Sequence, residues 1–164
     1  GQIFSTDLII SASIFLVLFI SVIGFFIFYS VNMDRLVKGE DINLKALQIT
    51  DLLLKDSGIP SNWEDNPSNV EVIGLSTNDR IFSAEKLREF VNLDEDDIKE
   101  KFNIENMDFY FSLKDPQGAL YALGDGDFSE TGTKPNLNAQ VIISTRRIGI
   151  YGGQNAFMEF ILWE

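Results

Sequence analysis

The side chains best equipped for chemistry in this chain are carboxylates, because it contains no His and no Cys. Without Cys there is neither a disulfide framework nor a thiolate metal site, and the redox compartment stays open. Without His the usual general base and the commonest metal ligand are both missing, and a His-dependent triad is excluded. Catalysis would fall to Asp, Glu, Lys, Ser or Tyr alone. No arrangement of them stands out, so the chain is expected not to be an enzyme. Gly124-Asp125-Gly126-Asp127-Phe128-Ser129-Glu130 begins like an oxygen-ligand calcium loop. It lacks the Gly and the distal Glu at loop spacing, which favours a solvated turn with no metal or cofactor. Asp94-Glu95-Asp96-Asp97 suits a helix N-terminus, where the dipole favours negative charge, rather than an acid pair across a cleft. No Gly-rich phosphate loop comes after a strand, and Asn66-Pro67-Ser68 fails as a glycosylation sequon because of its Pro. Asp7 is the remaining candidate, and its interest lies in the apolar run that it precedes.

Residues 8 to 33 carry no charged side chain. At 1.5 Å per residue, the apolar part from 8 to 31 reaches about 36 Å, against about 30 Å for a hydrocarbon core. A helix apolar on every side belongs in a bilayer or in the core of an assembly. A secretory signal would have basic residues first and an apolar core of only about 7–15 residues. Here Asp7 precedes the run with no Lys or Arg before it, so the segment is expected to stay in the working protein. Arg35 and Lys38 come after the span and, read alone, place the bulk of the chain in the cytoplasm. A short basic leader, removed ahead of this numbering, would reverse that orientation.

The rest of the chain matches one domain in size. With 25 acidic and 13 basic residues, its net charge of −12 argues against nucleic acid and anionic lipid surfaces as partners. Helix signals continue from Asp34 to about Lys55. Leu36, Val37, Leu44, Leu47 and Leu54 make one apolar stripe, and Ile42, Ala46, Ile49 and Leu53 a second on roughly the opposite side. Either one stripe holds the globular domain and the other meets a neighbour, or both are buried within the domain. Ser57-Gly58-Ile59-Pro60 stops the helix.

The chain thus divides into residues 1–56, an N-terminal helix (1–33 the membrane or filament-core segment, 34–56 its amphipathic extension), and residues 57–164, a globular α+β domain. In the latter, residues 70–75 alternate like a strand and Thr77-Asn78-Asp79-Arg80 reads as a turn. A short helix is expected from Ser83 to about Val91 and a second from Asp94 to about Lys101. The remainder reads as antiparallel sheet: a strand with Phe109, Phe111 and Leu113 on one face, a turn at Asp115-Pro116-Gln117-Gly118, and a return over 119–123. A loop is expected over 124–136, then strands over 141–151 and 157–163. The last is apolar on both faces, which suits a central or helix-covered position.

This order resembles the archaeal type IV pilin-like proteins, a class III-like prepilin family. Gly1-Gln2-Ile3-Phe4-Ser5-Thr6-Asp7 looks like the prepilin-peptidase recognition and early mature region of that family. Ser57-Gly58-Ile59-Pro60-Ser61-Asn62-Trp63-Glu64, with Val72-Ile73-Gly74-Leu75 after it, is similar to a recurring stretch there. So are Lys86-Leu87-Arg88-Glu89-Phe90, Asp108-Phe109-Tyr110-Phe111-Ser112-Leu113 and the closing strand ending in Trp163.

The resemblance implies a precursor with a basic leader cleaved by a prepilin peptidase, and a subunit held in the cytoplasmic membrane. An ATP-driven assembly platform would extract it, and its apolar helices would form the core of a cell-surface filament of identical subunits. Gly1 and Gln2 would mark processing, with cleavage open on either side of Gly1. Pilins commonly carry Glu at the fifth mature position; here the acid is Asp7, seventh from Gly1 and sixth from Gln2. Asp7 would pair with the N-terminal amine of an adjacent subunit and set register, or be a plain helix-start charge. Ser11, Ala12, Ser13, Ser21 and Gly24 allow close helix approach, and Gly24 could mark a place where the helix loosens or be ordinary helix. The alternative function is a single-pass membrane-anchored protein, or minor pilin, with an extracytoplasmic binding domain that does not itself polymerise.

Overall fold

The computed structural model describes residues 3–124, 126–136 and 138–164. It is an α+β protein that begins with one long helix, α1 (Ile3–Lys55). Packing divides the chain into two units, residues 1–40 and 41–164. The sequence division at 56/57 matches the end of the helix, whereas the packing division falls inside it. The reason is the second stripe: Ile42, Ala46, Ile49 and Leu53 are all buried in the core of the globular unit. Thr50 lies among them and is satisfied by donating its hydroxyl to Ala46 O at 2.9 Å. Of the first stripe, Leu54 is buried, Leu47 half-buried and Leu44 57 % exposed. The side chains of Leu36 and Val37 lie outside the described residues.

The end of α1 shapes the segment after it. A helix terminus leaves its last carbonyls without intrahelical donors, and here donors come from beyond the helix. Leu52 O accepts from Asp56 N (2.9 Å), Leu53 O from Leu75 N (3.1 Å), Leu54 O from Arg80 N (3.0 Å) and Asp56 O from Ser76 N (3.1 Å). The Ser76 hydroxyl also donates to Leu54 O. Residues 70–75, expected as a strand, therefore run extended with one isolated bridge, Ile59↔Val72, because their last N–H groups cap the helix instead of joining a ladder. Gly74 is obligatory there: a Cβ would sit 2.4 Å from Asp56 O.

The capped segment leads into β1 (Ser76–Asn78) and, through the predicted turn, β2 (Ile81–Phe82). Two short helices come next. Ser83 caps α2 (Ala84–Asn92), and the Asp94 carboxylate accepts from Asp96 N at 2.9 Å to cap α3 (Glu95–Phe102), both as expected. The strands β3 (Asp108–Lys114), β4 (Ala122–Gly124), β5 (Asp127–Phe128), β6 (Glu130–Gly132), β7 (Ile142–Tyr151) and β8 (Gln154–Trp163) complete the unit.

Six strands form one sheet in the order β1-β2-β7-β8-β3-β6, while β4 and β5 pair separately. All its pairs are antiparallel except β2 with β7, which is parallel at Ile81↔Ile150. The 124–136 stretch, expected as a loop, supplies β5 and the edge strand β6. A three-residue strand containing Gly has no alternation to read. Its Gly132 has φ 85, and a Cβ there would lie 2.3 Å from Phe109 O. β8 is central, as its two apolar faces require. Ala156, Met158, Phe160 and Leu162 fill the core side, where Phe160 stacks on Phe109 at 5.8 Å and meets Phe102 edge-on at 6.2 Å.

The stripe from Ile42 to Leu53, with Leu54, should therefore matter for folding, and the exposed Leu44 should not. Leu53→Ala should destabilise the globular unit by about 2–5 kcal/mol, and the exposed Leu44→Ala by about 0.5 kcal/mol or less. Denaturant unfolding monitored by tryptophan fluorescence checks the contrast, and equal losses would contradict a one-sided burial of the helix.

Candidate functional site

The segment Thr6–Ser30 is a single helix long and apolar enough to cross a membrane by length and composition, and none of it is buried. Leu8 (70 %), Phe15, Phe19, Phe25 (71 %) and Phe26 stand clear of other protein. Exposure on this scale far exceeds the few hundred Å² of contiguous apolar surface usual on a soluble monomer. The helix survives its polar residues because they are satisfied internally. Ser13 donates to Ile9 O at 2.7 Å and Ser21 to Val17 O at 2.8 Å, so neither hydroxyl presents an unpaired group to an apolar medium.

At about 100° per residue, large and small side chains are interspersed around this helix: Phe15, Phe19 and Phe26 fall in one arc flanked by Ser11 and Ala12, and Phe28 falls in the arc of Ser13, Ser21 and Gly24. The Phe15 and Phe19 rings stack at 5.9 Å, forming a ridge. Opposite, Ser13 opens a shallow dip bounded by Ile14, Val17 and Leu18. Gly24 lies within regular helix, and a Cβ placed on it would meet nothing within 4 Å. Asp7 is exposed in the first turns of α1, with no cation at ion-pair distance among the described residues. Gly1 and Gln2 lie outside the described residues.

The calcium-like stretch has a different occupation. Ser129 is fully buried, donates to Leu113 O at 2.5 Å and accepts from Tyr121 N at 2.9 Å, so it ties the β4–β5 hairpin to β3. Asp125 lies outside the described residues. Among the described residues no group of three or more Asp and Glu side chains could hold a metal ion.

Two features of the globular unit escaped the sequence. Lys86 is buried, with its ammonium donating to Ser57 O and Ser61 O at 2.5 Å each and lying 3.7 Å from Glu64. It pins the loop that ends α1. Lys55, Arg80, Arg146 and Arg147 converge on one cleft although they are scattered along the chain; the adjacent Arg146-Arg147 pair was the only local signal.

Several carboxylates are held ionised. The Lys55 hydrogen bond lowers Asp51, helped by Arg147. At Glu130 the hydrogen bond from the Tyr110 hydroxyl is the main lowering cause, with Lys134 adding to it. Burial pushes Glu159 up, but Lys114 and Arg146 more than reverse this and leave it lowered. Tyr110 itself is raised, first by burial and then by Glu130. Comparison with protein-family models, curated proteins and solved structures found no match to this chain.

The triple variant Leu16→Arg, Ile20→Arg, Ile23→Arg should remove the chain from the membrane fraction after alkaline extraction, because each cation near a span's centre costs about 2.5–3.5 kcal/mol against about 0.3–0.6 kcal/mol gained per apolar residue; undiminished retention would exclude this span. In the globular unit the titrating carboxylates set the acid response. A carboxylate with a lowered folded pKa adds stability above its unfolded value, about 4.3, that is lost as pH falls through the folded value. The unfolding midpoint should therefore drop on acidification below about pH 5, and Glu130→Gln should flatten that slope. The raised Tyr110 acts oppositely: its contribution is present below about pH 10 and lost as pH rises through its folded value.

Proposed function

We propose that this protein is a structural subunit that polymerises through its apolar helix into an archaeal type IV-like pilus at the cell surface, waiting in the cytoplasmic membrane before assembly. The observation that carries this reading is the helix over residues 8–29, uncovered on every side and longer than a hydrocarbon core of about 30 Å requires. Helices that pack on copies of themselves approach closely at small residues, and Ser13, Ser21 and Gly24 supply them here.

The process is assembly, not catalysis. Apolar surface leaves lipid for a bundle of like helices, and the contacts run head to tail, so the array stays open and grows as a helix rather than closing into a ring. Asp7 would enter the bundle only when paired, with the N-terminal amine of a neighbour as its partner. A prepilin peptidase and an assembly ATPase with its platform are the implied accessory machinery.

One observation favours the second reading, a single-pass protein whose external domain never polymerises. The stripe with Ile42, Ala46, Ile49 and Leu53 is consumed by the domain's own core, and Leu54 of the other stripe is buried too. That leaves Leu44 as the fully exposed apolar residue of the extension among its described side chains.

Negative-stain electron microscopy of material sheared from cells, with mass spectrometry of its N-terminal peptide, separates the two. Thin filaments made mainly of this chain are expected, and Asp7→Ala should abolish them while leaving the membrane-bound subunit at normal abundance. Finding the wild-type chain only as a membrane-bound monomer would favour the tethered domain; normal filaments from Asp7→Ala would remove the pairing role alone.

A further inference from the structure

The chain carries an excess of acid, yet three of its five arginines meet at one place. The cleft, about 460 Å³ in volume, lies within the globular unit where the end of α1 faces β7 and the β1–β2 turn. Lys55, Arg80, Arg146 and Arg147 line it with a single carboxylate, Asp51, and the exposed Ile148.

The cations are arranged but not exhausted. Lys55 Nζ and Arg147 Nε hold Asp51 at 2.9 and 3.3 Å. Arg146 is steadied from outside the cleft by Glu159 at 2.8 Å. Arg80 makes no side-chain hydrogen bond among the described residues; its nearest carboxylate, Asp79, is 3.9 Å away. Each guanidinium offers five N–H donors, so most donors here remain available. Arg80 also stands in the left-handed region (φ 63), where Asn or Gly would be the easier choice. Its backbone is pinned on both sides, N–H to Leu54 O at 3.0 Å and C=O from Ile150 N at 2.7 Å, which aims the side chain from a fixed base.

Whole-molecule repulsion does not decide the matter. At physiological ionic strength the Debye length is about 8 Å, so an anion inside the cleft responds to these cations more than to distant carboxylates. Planar guanidinium pairs favour oxyanions, which accept two N–H bonds at once. Arg147 lies on the face of β7 turned to α1, where it meets Asp51, so it and Arg80 are the donors best placed for the cleft.

We propose that this cleft binds a phosphate-like oxyanion, with Arg80 and Arg147 as its principal donors. The site does not depend on polymerisation. The test uses the full chain in detergent micelles, titrated with inorganic phosphate and with glucose 6-phosphate while the arginine Nε–H resonances are monitored by NMR. Saturable shifts of Arg80 and Arg147 are expected in the millimolar range with both, the two probes separating a free from a carried phosphate. Arg80→Gln and Arg147→Gln should each weaken binding about tenfold or more, while Lys101→Gln, elsewhere on the surface, should change nothing. Shifts that do not saturate, or equal affinity in Arg80→Gln, would overturn the proposal. So would the same shifts produced by raising protein concentration without anion and lost in Arg80→Gln, because the cleft would then be an interface between copies.

Discussion

The globular unit is organised by the need to satisfy a helix that ends inside it. α1 reaches the core with the stripe from Ile42 to Leu53 and stops at Lys55, where its last carbonyls have no intrahelical donors. An unpaired buried carbonyl costs about 1–3 kcal/mol, so the next segment is committed to pairing that helix end. Leu75, Ser76 and Arg80 each give an N–H to that helix end. The same residues start β1 and the β1–β2 turn, and Arg80 O then accepts from Ile150 N on β7. One edge of the sheet is thus placed by hydrogen bonds that begin at the helix terminus. Buried Lys86 secures the loop between, and Trp63 Nε1–H closes it by donating to Gly74 O at 2.9 Å.

The first unit obeys a different constraint. Ser13 and Ser21 bond their own preceding turn, so neither hydroxyl limits the medium that its apolar part enters. Its free energy is decided by what covers its side chains. Water is the unfavourable choice for the exposed apolar residues between Leu8 and Tyr29, at about 25 cal/mol per Å². Lipid and like helices both remove the water.

Much of this was legible where one local rule dominates. The charge-free run, the stop at Gly58 and Pro60, the Ser83 and Asp94 caps and the two long strands each reflect propensity or periodicity. The errors share a cause. Residues 70–75 have strand periodicity, but their N–H groups go to Ile59 O and, at Leu75, to the helix end, partners that no pattern along the chain encodes. β6 is three residues with a Gly, too short to show a period, and is held as a strand by pairing Tyr110, Phe111 and Ser112 of β3. The basic cleft was invisible for a stronger reason: Lys55, Arg80 and Arg146 become neighbours only after the sheet has formed.

The acidity of the chain has to be understood in the same spatial terms. Net charge describes a chain in which positions do not matter, and here they do. The sheet joins Arg146 and Arg147 on β7 to a helix end bearing Asp51 and Lys55 and to a turn bearing Arg80, while the acids of α3 cap their own helix. Within a Debye length of about 8 Å the cleft is locally cationic although the molecule is strongly anionic.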